Sequence, residues 1–266
     1  MLKKLTTDKM LAEKEGGIGW ITFNNPARRN AISLEMWEAL TEILKDFQAD
    51  DEIRVIVMKG AGDKAFVSGA DISQFEDKRA NAKAAEEYGR ISEEGKHLLE
   101  TIDKPLIAMI RGFALGGGLG IAMSADMRIA ADDSKLGIPA ARLSVAYGMD
   151  NLGKLVNLVG PSRAKDILFT ARRVPAEEAL QMGLVNKVVP VDQLEAAVRE
   201  VCDAICDNAP LSILSSKVTI NALVKDPADR DTARVDKLFS ACFDSEDYKE
   251  GRTAFMEKRK PVWKGR

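Results

Sequence analysis

Histidine is almost missing from this sequence and cysteine is scarce, with one His and three Cys in 266 residues. A His-based nucleophilic triad would have to use His97, which sits in the helix-like stretch Ser92–Leu99 and reads as a surface or structural residue. Cys202 and Cys206 share a helical face, but a zinc site needs more ligands than they and His97 supply. With Cys242 they make no disulfide framework and are expected to be buried or half-buried thiols without a chemical role. No metal site is expected. An excess of one charge is missing too: 39 Lys and Arg face 41 Asp and Glu, for a net charge of −2. Without a Lys/Arg run, a nucleic-acid partner is not expected. No apolar run approaches the roughly 20 residues that cross a bilayer. The segment Met1–Asp8 lacks the apolar core of a signal peptide, so no membrane association and a cytoplasmic location are expected.

What is present is the ordinary apolar share of a globular protein, 45% of residues, in short runs separated by helical patterns. Strands are expected at Ile18–Phe23, Arg54–Lys59, Ala65–Ile72, Pro105–Ile110, Met127–Ala130, Lys135–Gly137 and Leu184–Val189. Ser33 is placed to cap a helix over Leu34–Phe47, whose apolar residues fall on one face. The stretch Ser73–Glu94 is polar and alanine-rich, without a firm apolar stripe, and reads as a mobile helical loop over a site. Further helices are expected at Asn151–Val159, Ser162–Thr170, Ala176–Met182 and Leu194–Asn208. From Pro210 to the end the pattern is helical. Alternating strands and helices indicate an α/β fold, with a core over residues 1–204 and a helical segment over 205–266. That segment is too short to bury much apolar surface alone and is expected to pack on the core or on a neighbouring subunit.

Glycine is concentrated where a strand gives way to a helix: Gly116, Gly117, Gly118 and Gly120 lie within five residues. The first amides of such a helix lack intrahelical acceptors and lie at the positive end of its dipole, so they suit an anionic oxygen. Close helix packing is the rival explanation. A dinucleotide fingerprint would need glycines at n, n+2 and n+5, and Ile121 and Met123 stand at the positions required. A P-loop lysine and a Gly-x-Ser-x-Gly elbow are both absent from the run.

Phe66-Val67-Ser68-Gly69-Ala70-Asp71-Ile72 and Gly112-Phe113-Ala114-Leu115-Gly116-Gly117-Gly118 resemble the two signatures of the crotonase (enoyl-CoA hydratase/isomerase) superfamily. Asn25-Pro26 with Arg29-Asn30-Ala31, Ser124-Ala125-Asp126, Gly137-Ile138-Pro139, Ala179–Val189 and the tail Glu250–Pro261 fit in order, so the likeness runs from about Gly17 to Pro261. The resemblance implies a crotonase-type spiral of repeated ββα units with a C-terminal helical trimerisation segment, assembled as a homotrimer or a dimer of trimers. It implies an acyl-CoA substrate, with coenzyme A entering as part of that substrate and no other cofactor. The amides of Ala70 and Gly117 would form an oxyanion hole for the thioester oxygen, each donor being worth ~3–4 kcal/mol. The loop of Ser68, Ala70, Asp71 and Ile72 would cradle the adenine, and Arg29 would lie near the CoA phosphates. Phe255 and Lys258 would close over the nucleotide from a neighbouring subunit. Asp126 would be structural, and for Asp71 a capping role is expected over acid–base work.

The family's hydratases carry one glutamate after the glycine turn and another after the Gly-x-Pro motif. Here those positions are Gly120 and Ala140, neither of which can move a proton. Positioned acid–base groups contribute about 10²–10⁴-fold each, so efficient hydration by that route is not expected. Asp150 is the candidate replacement, with a helix N-cap as its competing role; Tyr147, Ser144 and Arg142 lie nearby, and Tyr147 is expected to be a packed aromatic. Two readings stay open: a lyase- or isomerase-type enzyme working through a thioester enolate, and a non-catalytic acyl-CoA-binding or assembly protein.

Overall fold

The computed structural model describes residues 5–71 and 82–266. The chain opens with strand β1 (Met10–Glu15), antiparallel to β2 (Ile18–Phe23), and continues into helix α1 (Leu34–Ala49). Three units of one kind follow. The first comprises β3 (Val55–Gly60), β4 (Ala65–Val67) and α2 (Ala82–Thr101). The second comprises β5 (Leu106–Ile110), β6 (Phe113–Leu115) and α3 (Gly117–Met123). The third comprises β7 (Met127–Ala131), β8 (Lys135–Gly137) and α4 (Met149–Thr170). Strand β9 (Val174–Pro175), helix α5 (Ala176–Gln181) and strand β10 (Lys187–Val189) close the sheets. Helices α6 (Leu194–Cys206), α7 (Pro210–Leu223), α8 (Thr232–Asp244) and α9 (Glu246–Glu257) complete the chain.

Each unit gives its first strand to one sheet, in the order β1-β2-β3-β5-β7-β10, and its second to another, β4-β6-β8-β9. The result is the ββα spiral anticipated above. The pairs between successive units are parallel, so the strands are covered on both faces and their sequences are nearly continuous apolar runs. β3 shows the consequence: Ile56 and Met58 join the main core with α1, whereas Val55 and Val57 face a smaller cluster under α6 with Trp20, Leu194 and Cys202. Burial pushes the Cys202 thiol up to about 12 and also raises Cys206, and all three cysteines are free thiols.

Several expectations change in detail. β1 was not anticipated, because as an edge strand it buries only Met10 fully and its sequence is mostly charged or small. Ser33 occupies the N-cap of α1, but its hydroxyl makes no cap bond and is buried without a partner. The two helices expected at 151–159 and 162–170 are both present within α4, the first starting two residues early at Met149, and they are separated at Gly160, whose φ is +77°, before Pro161. α2 carries the chain in regular helix from Ala82 to Thr101; the expected loop before Ala82, from Ser73, lies outside the described residues. The division expected after residue 204 falls inside α6, and the chain leaves that helix only at Asp207.

The C-terminal helices are held to the core by polar contacts rather than burial. Lys217 of α7 donates to the Asp126 carboxylate and the Lys104 carbonyl, both at 2.8 Å, while Asp126 also accepts the Leu106 amide at 2.7 Å. Asp126 is thus structural, as the resemblance implied. No residue of α7 or α8 is buried, and Ile220, Leu223, Phe239, Phe243 and Phe255 are exposed. No helix among the described residues is long and apolar enough to cross a membrane.

Candidate active site

Gly116 sits between β6 and α3 at φ +55°, where its amide donates to the Gly137 carbonyl at 2.8 Å. This conformation, easy for glycine alone, turns the chain so that α3 starts with the Gly117 amide at its N1 position. An N1 amide has no acceptor within its own helix. On the other side, the Ser68–Asp71 loop is pinned to Ile32 by a parallel bridge: the Ile32 amide donates to the Gly69 carbonyl and the Asp71 amide to the Ile32 carbonyl. Because that bridge uses the groups flanking Ala70, the Ala70 amide itself faces away from it. It points toward α3, where a Cβ on Gly117 would stand 3.9 Å from the Ala70 nitrogen.

Ala70 and Gly117 both line one cavity of about 350 Å³. Its floor is one face of α3, comprising Gly117, Gly120, Ile121 and Ser124. One wall is α2, through Ser92, Lys96 and Leu99; the other is the 145–148 turn and the first turns of α4, through Tyr147, Asn151 and Lys154. Helical spacing explains the set. Gly117, Gly120 and Ser124 are one turn apart on α3, Asn151 and Lys154 one turn apart on α4, and the latter pair lies alongside the former. Asn151 Oδ1 is 3.6 Å from where a Cβ on Gly120 would be, and Lys154 Nζ donates to Ser124 Oγ at 2.9 Å. Burial raises the pKa of Tyr147, whose hydroxyl oxygen lies 3.4 Å from where a Cβ on Gly116 would be, so it remains a neutral donor. Among the described residues the cavity wall carries no carboxylate and no imidazole, and its cations are Lys96 and Lys154. No group of three metal-ligating side chains occurs among the described residues.

The structure brings together most of the residues singled out above. The Ser68 amide donates to the Arg29 carbonyl at 3.1 Å and the Ser68 hydroxyl to the Arg28 carbonyl at 3.3 Å, joining the Arg28–Arg29 turn to the Ala70 loop. Arg29 is left-handed, exposed, and lies over the Phe113 ring at 5.7 Å. Asp71 is buried, with one carboxylate oxygen 4.0 Å from Arg28. Ile72 lies outside the described residues. Asp150 does not join the cavity: Gly148 takes the N-cap, and Asp150 falls in the exposed first turn while its neighbour Asn151 faces inward. Both roles considered for Asp150 therefore pass to adjacent residues. Arg142 and Ser144 are exposed. Ala140, in the 3-10 turn Pro139–Leu143, packs against the main core.

Phe255 and Lys258 lie elsewhere in the chain. Phe255, 82% exposed, lines a separate cavity of about 520 Å³ formed by α7, α8, α9 and the tail, together with Tyr248 and Trp263. Neither Ala70 nor Gly117 lines that cavity. Asn151, Lys154 and Lys96 were missed from the sequence, whereas Ser92 lies in the Ser73–Glu94 stretch expected to cover a site. The signal that could have found them is helical spacing, since residues three or four apart share a face once one of them is known to face the site.

A family model described as Enoyl-CoA hydratase/isomerase matches residues 13–266. The chain therefore belongs to the enoyl-CoA hydratase/isomerase family, within the crotonase superfamily. It is 38% identical over 253 residues to a short-chain-enoyl-CoA hydratase of Clostridium acetobutylicum, covering 95% of this chain and 96% of that protein. It is 36% identical over 253 residues to a crotonyl-CoA hydratase of Syntrophomonas wolfei, with 95% and 96% covered. Among solved structures, an enoyl-CoA hydratase/carnithine racemase from Magnetospirillum magneticum superposes with a TM-score of 0.91 at 36% identity, over 98% of this chain and 97% of that one.

Proposed function

We propose that this protein binds an acyl-CoA thioester in the 350 Å³ cavity and stabilises its enolate with the Ala70 and Gly117 amides. The observation that carries this reading is the convergence of two backbone donors, one freed by the Ile32 bridge and one by its place at the start of α3, on a single enclosed space. Donors fixed in position need no reorganisation as negative charge grows on the thioester oxygen, and each contributes about 3–4 kcal/mol. The Ser68–Asp71 loop, which gives Ala70 to this cavity, would cradle the adenine, and Arg29, on the turn bonded to that loop, would lie near the CoA phosphates. Phe255 and Lys258 reach it from a second copy of the chain in a trimer or a dimer of trimers, which also covers the apolar residues left exposed on α7 and α8.

The reaction is of lyase or isomerase type but does not use the paired glutamates of hydratases. Gly120 and Ala140 hold those positions, and Asn151, which faces Gly120, orients a substrate or a water without taking a proton. Tyr147, Lys96 and Lys154 are the proton-bearing side chains left on the wall, together with the hydroxyls of Ser92 and Ser124. The same two substitutions favour a second reading, a non-catalytic acyl-CoA-binding protein. Turnover on a panel of acyl-CoAs separates the readings, following the enoyl thioester absorbance and CoA release, with α-proton exchange in heavy water. Exchange or turnover supports the enzyme. Binding without either supports the binding protein, and rapid hydration of crotonyl-CoA would overturn the argument from Gly120 and Ala140.

A further inference from the structure

We infer that the acyl group carries a carboxylate at its far end, so that the substrate class is the monothioester of a short dicarboxylic acid. The inference rests on the acyl-CoA reading above and names the acyl group that this cavity selects. An acyl pocket for a plain hydrocarbon chain gains from apolar walls, and burying an ammonium there without an anion is costly. This pocket is apolar near Ile121 and Leu99 and is also lined by two lysines, Lys154 and Lys96, on facing helices.

The counterions of these lysines do not line the cavity. Lys154 pairs with Glu100, and Lys96 pairs with Glu93 at 2.6 Å. The Glu93 side chain is 69% exposed and Glu100 is 41% exposed, whereas Lys154 is only 21% exposed. Lys154 Nζ is held at Ser124, which lines the cavity, while neither Glu93 nor Glu100 lines it. A lysine has three donors in different directions, so Lys154 can keep Glu100 and Ser124 and still offer a third to a ligand.

The spacing sets the length of the acyl chain. Ser124, which holds Lys154, lies seven positions after Gly117 on the helical floor, or about 10 Å along the axis. A hydrogen bond of about 3 Å lying along the axis at one end or at both leaves about 4–7 Å between the thioester carbon and the distal carboxylate. At about 1.5 Å per carbon–carbon bond, that corresponds to an acyl group of roughly four to six carbons. A carboxylate directly on the α-carbon would fall short of Lys154, and a long fatty acyl chain would have to pass the two ammonium groups.

The test compares binding of glutaryl-CoA and valeryl-CoA, which share a five-carbon chain and differ in the terminal carboxylate, by calorimetry on the intact protein. Glutaryl-CoA is expected to bind at least about tenfold tighter, the effect of one charge-assisted hydrogen bond in a partly enclosed site. In Lys154→Met this preference falls to about onefold while valeryl-CoA binding is kept. A merely structural lysine would weaken both ligands alike, and that result would overturn the inference. Glu100→Gln keeps the ammonium and removes its competing anion, so the preference for glutaryl-CoA is retained or increased; its loss would count against the inference even if Lys154→Met does not fold. Equal binding of the two ligands by the wild type overturns the carboxylate inference alone. Failure to bind either overturns the acyl-CoA reading, and this inference with it.

Discussion

Gly118 presses so closely on Val67 that a Cβ at position 118 would stand 1.9 Å from the Val67 carbonyl oxygen and 2.6 Å from its carbonyl carbon. Val67 ends β4 three residues before Ala70, and Gly118 follows Gly117, so one backbone contact sets the distance between the two candidate donors. The obstacle is main chain and cannot rotate away. Gly118→Ala is therefore expected to force β4 and α3 apart and cost about 3 kcal/mol or more, the upper range for overpacking a filled core. Chemical denaturation measures it. A loss under about 1 kcal/mol would mean that the contact yields easily.

Gly117, one residue earlier, separates stability from function. A Cβ there meets only the Ala70 nitrogen, at 3.9 Å, an ordinary contact, and the position is exposed to the cavity. Gly117→Ala should fold with a stability within about 0.5 kcal/mol of the wild type, as expected for a substitution that touches no packed feature. The new methyl group would occupy the space between the two amides. Acyl-CoA binding or turnover is expected to fall by about 10²-fold, comparable to the loss of one oxyanion donor. Unchanged function in a well-folded variant would remove Gly117 from the site.

The glycine turn and the Phe66–Ile72 loop were legible in the sequence because they are local. A strand that runs into a helix within a few residues needs glycine for its backbone, which marks the turn, whereas the choice of Ala70 and Gly117 as donors came only from the family resemblance. The side chains on the wall were not legible in this way. Their place depends on where α4 begins, and each residue along a helix turns the side chain by about 100°. A start at Met149 sends Asn151 inward and leaves Asp150 in solvent, so the carboxylate picked from the sequence and the amide found at the site are neighbours. Lys154 and Lys96 come from helices 58 residues apart in sequence and meet only through packing. The α/β class was legible in the alternation of apolar strands and helices, whereas the crotonase-type spiral of ββα units was expected from the family resemblance, and the structure shows the repeated units. Strand β1 escaped because its residues, apart from Met10, are not fully buried and carry no apolar period.

Asn30 belongs to the Arg29-Asn30-Ala31 run, but its role is structural and was not assigned from the sequence. It is fully buried in the left-handed region, φ +56°, a conformation that Asn tolerates better than most residues. Its amide donates to the Ala61 carbonyl at 2.9 Å and the Ala65 carbonyl at 2.7 Å, and its oxygen accepts the Asn25 amide at 2.9 Å. These bonds tie the turn that holds Arg29 to the ends of β3 and β4. Asn30→Ala leaves buried carbonyls unpaired in addition to backbone strain, and a loss of about 3 kcal/mol is expected. Denaturant titration would show it. Asn30→Asp is the sharper comparison, because it keeps the size and the left-handed preference and removes two donors. If the aspartate variant is as stable as the wild type at neutral pH, the clamp does not depend on those hydrogen bonds.

Glu250 on α9 predicts how the C-terminal segment responds to acid. Its carboxylate accepts two bonds from Arg259, at 2.6 and 3.0 Å, and one from the Val262 amide at 2.9 Å. The Arg259 hydrogen bonds, with the Val262 amide second, hold the carboxyl down to about 2 from an ordinary value of 4.5. The folded-state pKa lies below the unfolded one, so the fold favours the ionised form. The stabilising effect is present above about pH 4.5 and is lost as the pH falls toward about 2. Glu250→Gln keeps the size of the side chain and removes the ionisation. At about pH 6 the wild type should melt at a higher temperature than this variant, and the gap should narrow through the window and close near its acid end. Because the pair is exposed, added salt should shrink the gap at every pH, which separates it from packing effects. A gap that stays constant from neutral pH to about pH 2 would show that Arg259 and Val262 do not hold Glu250 in its charged form, and that the tail is fixed to α9 by other contacts.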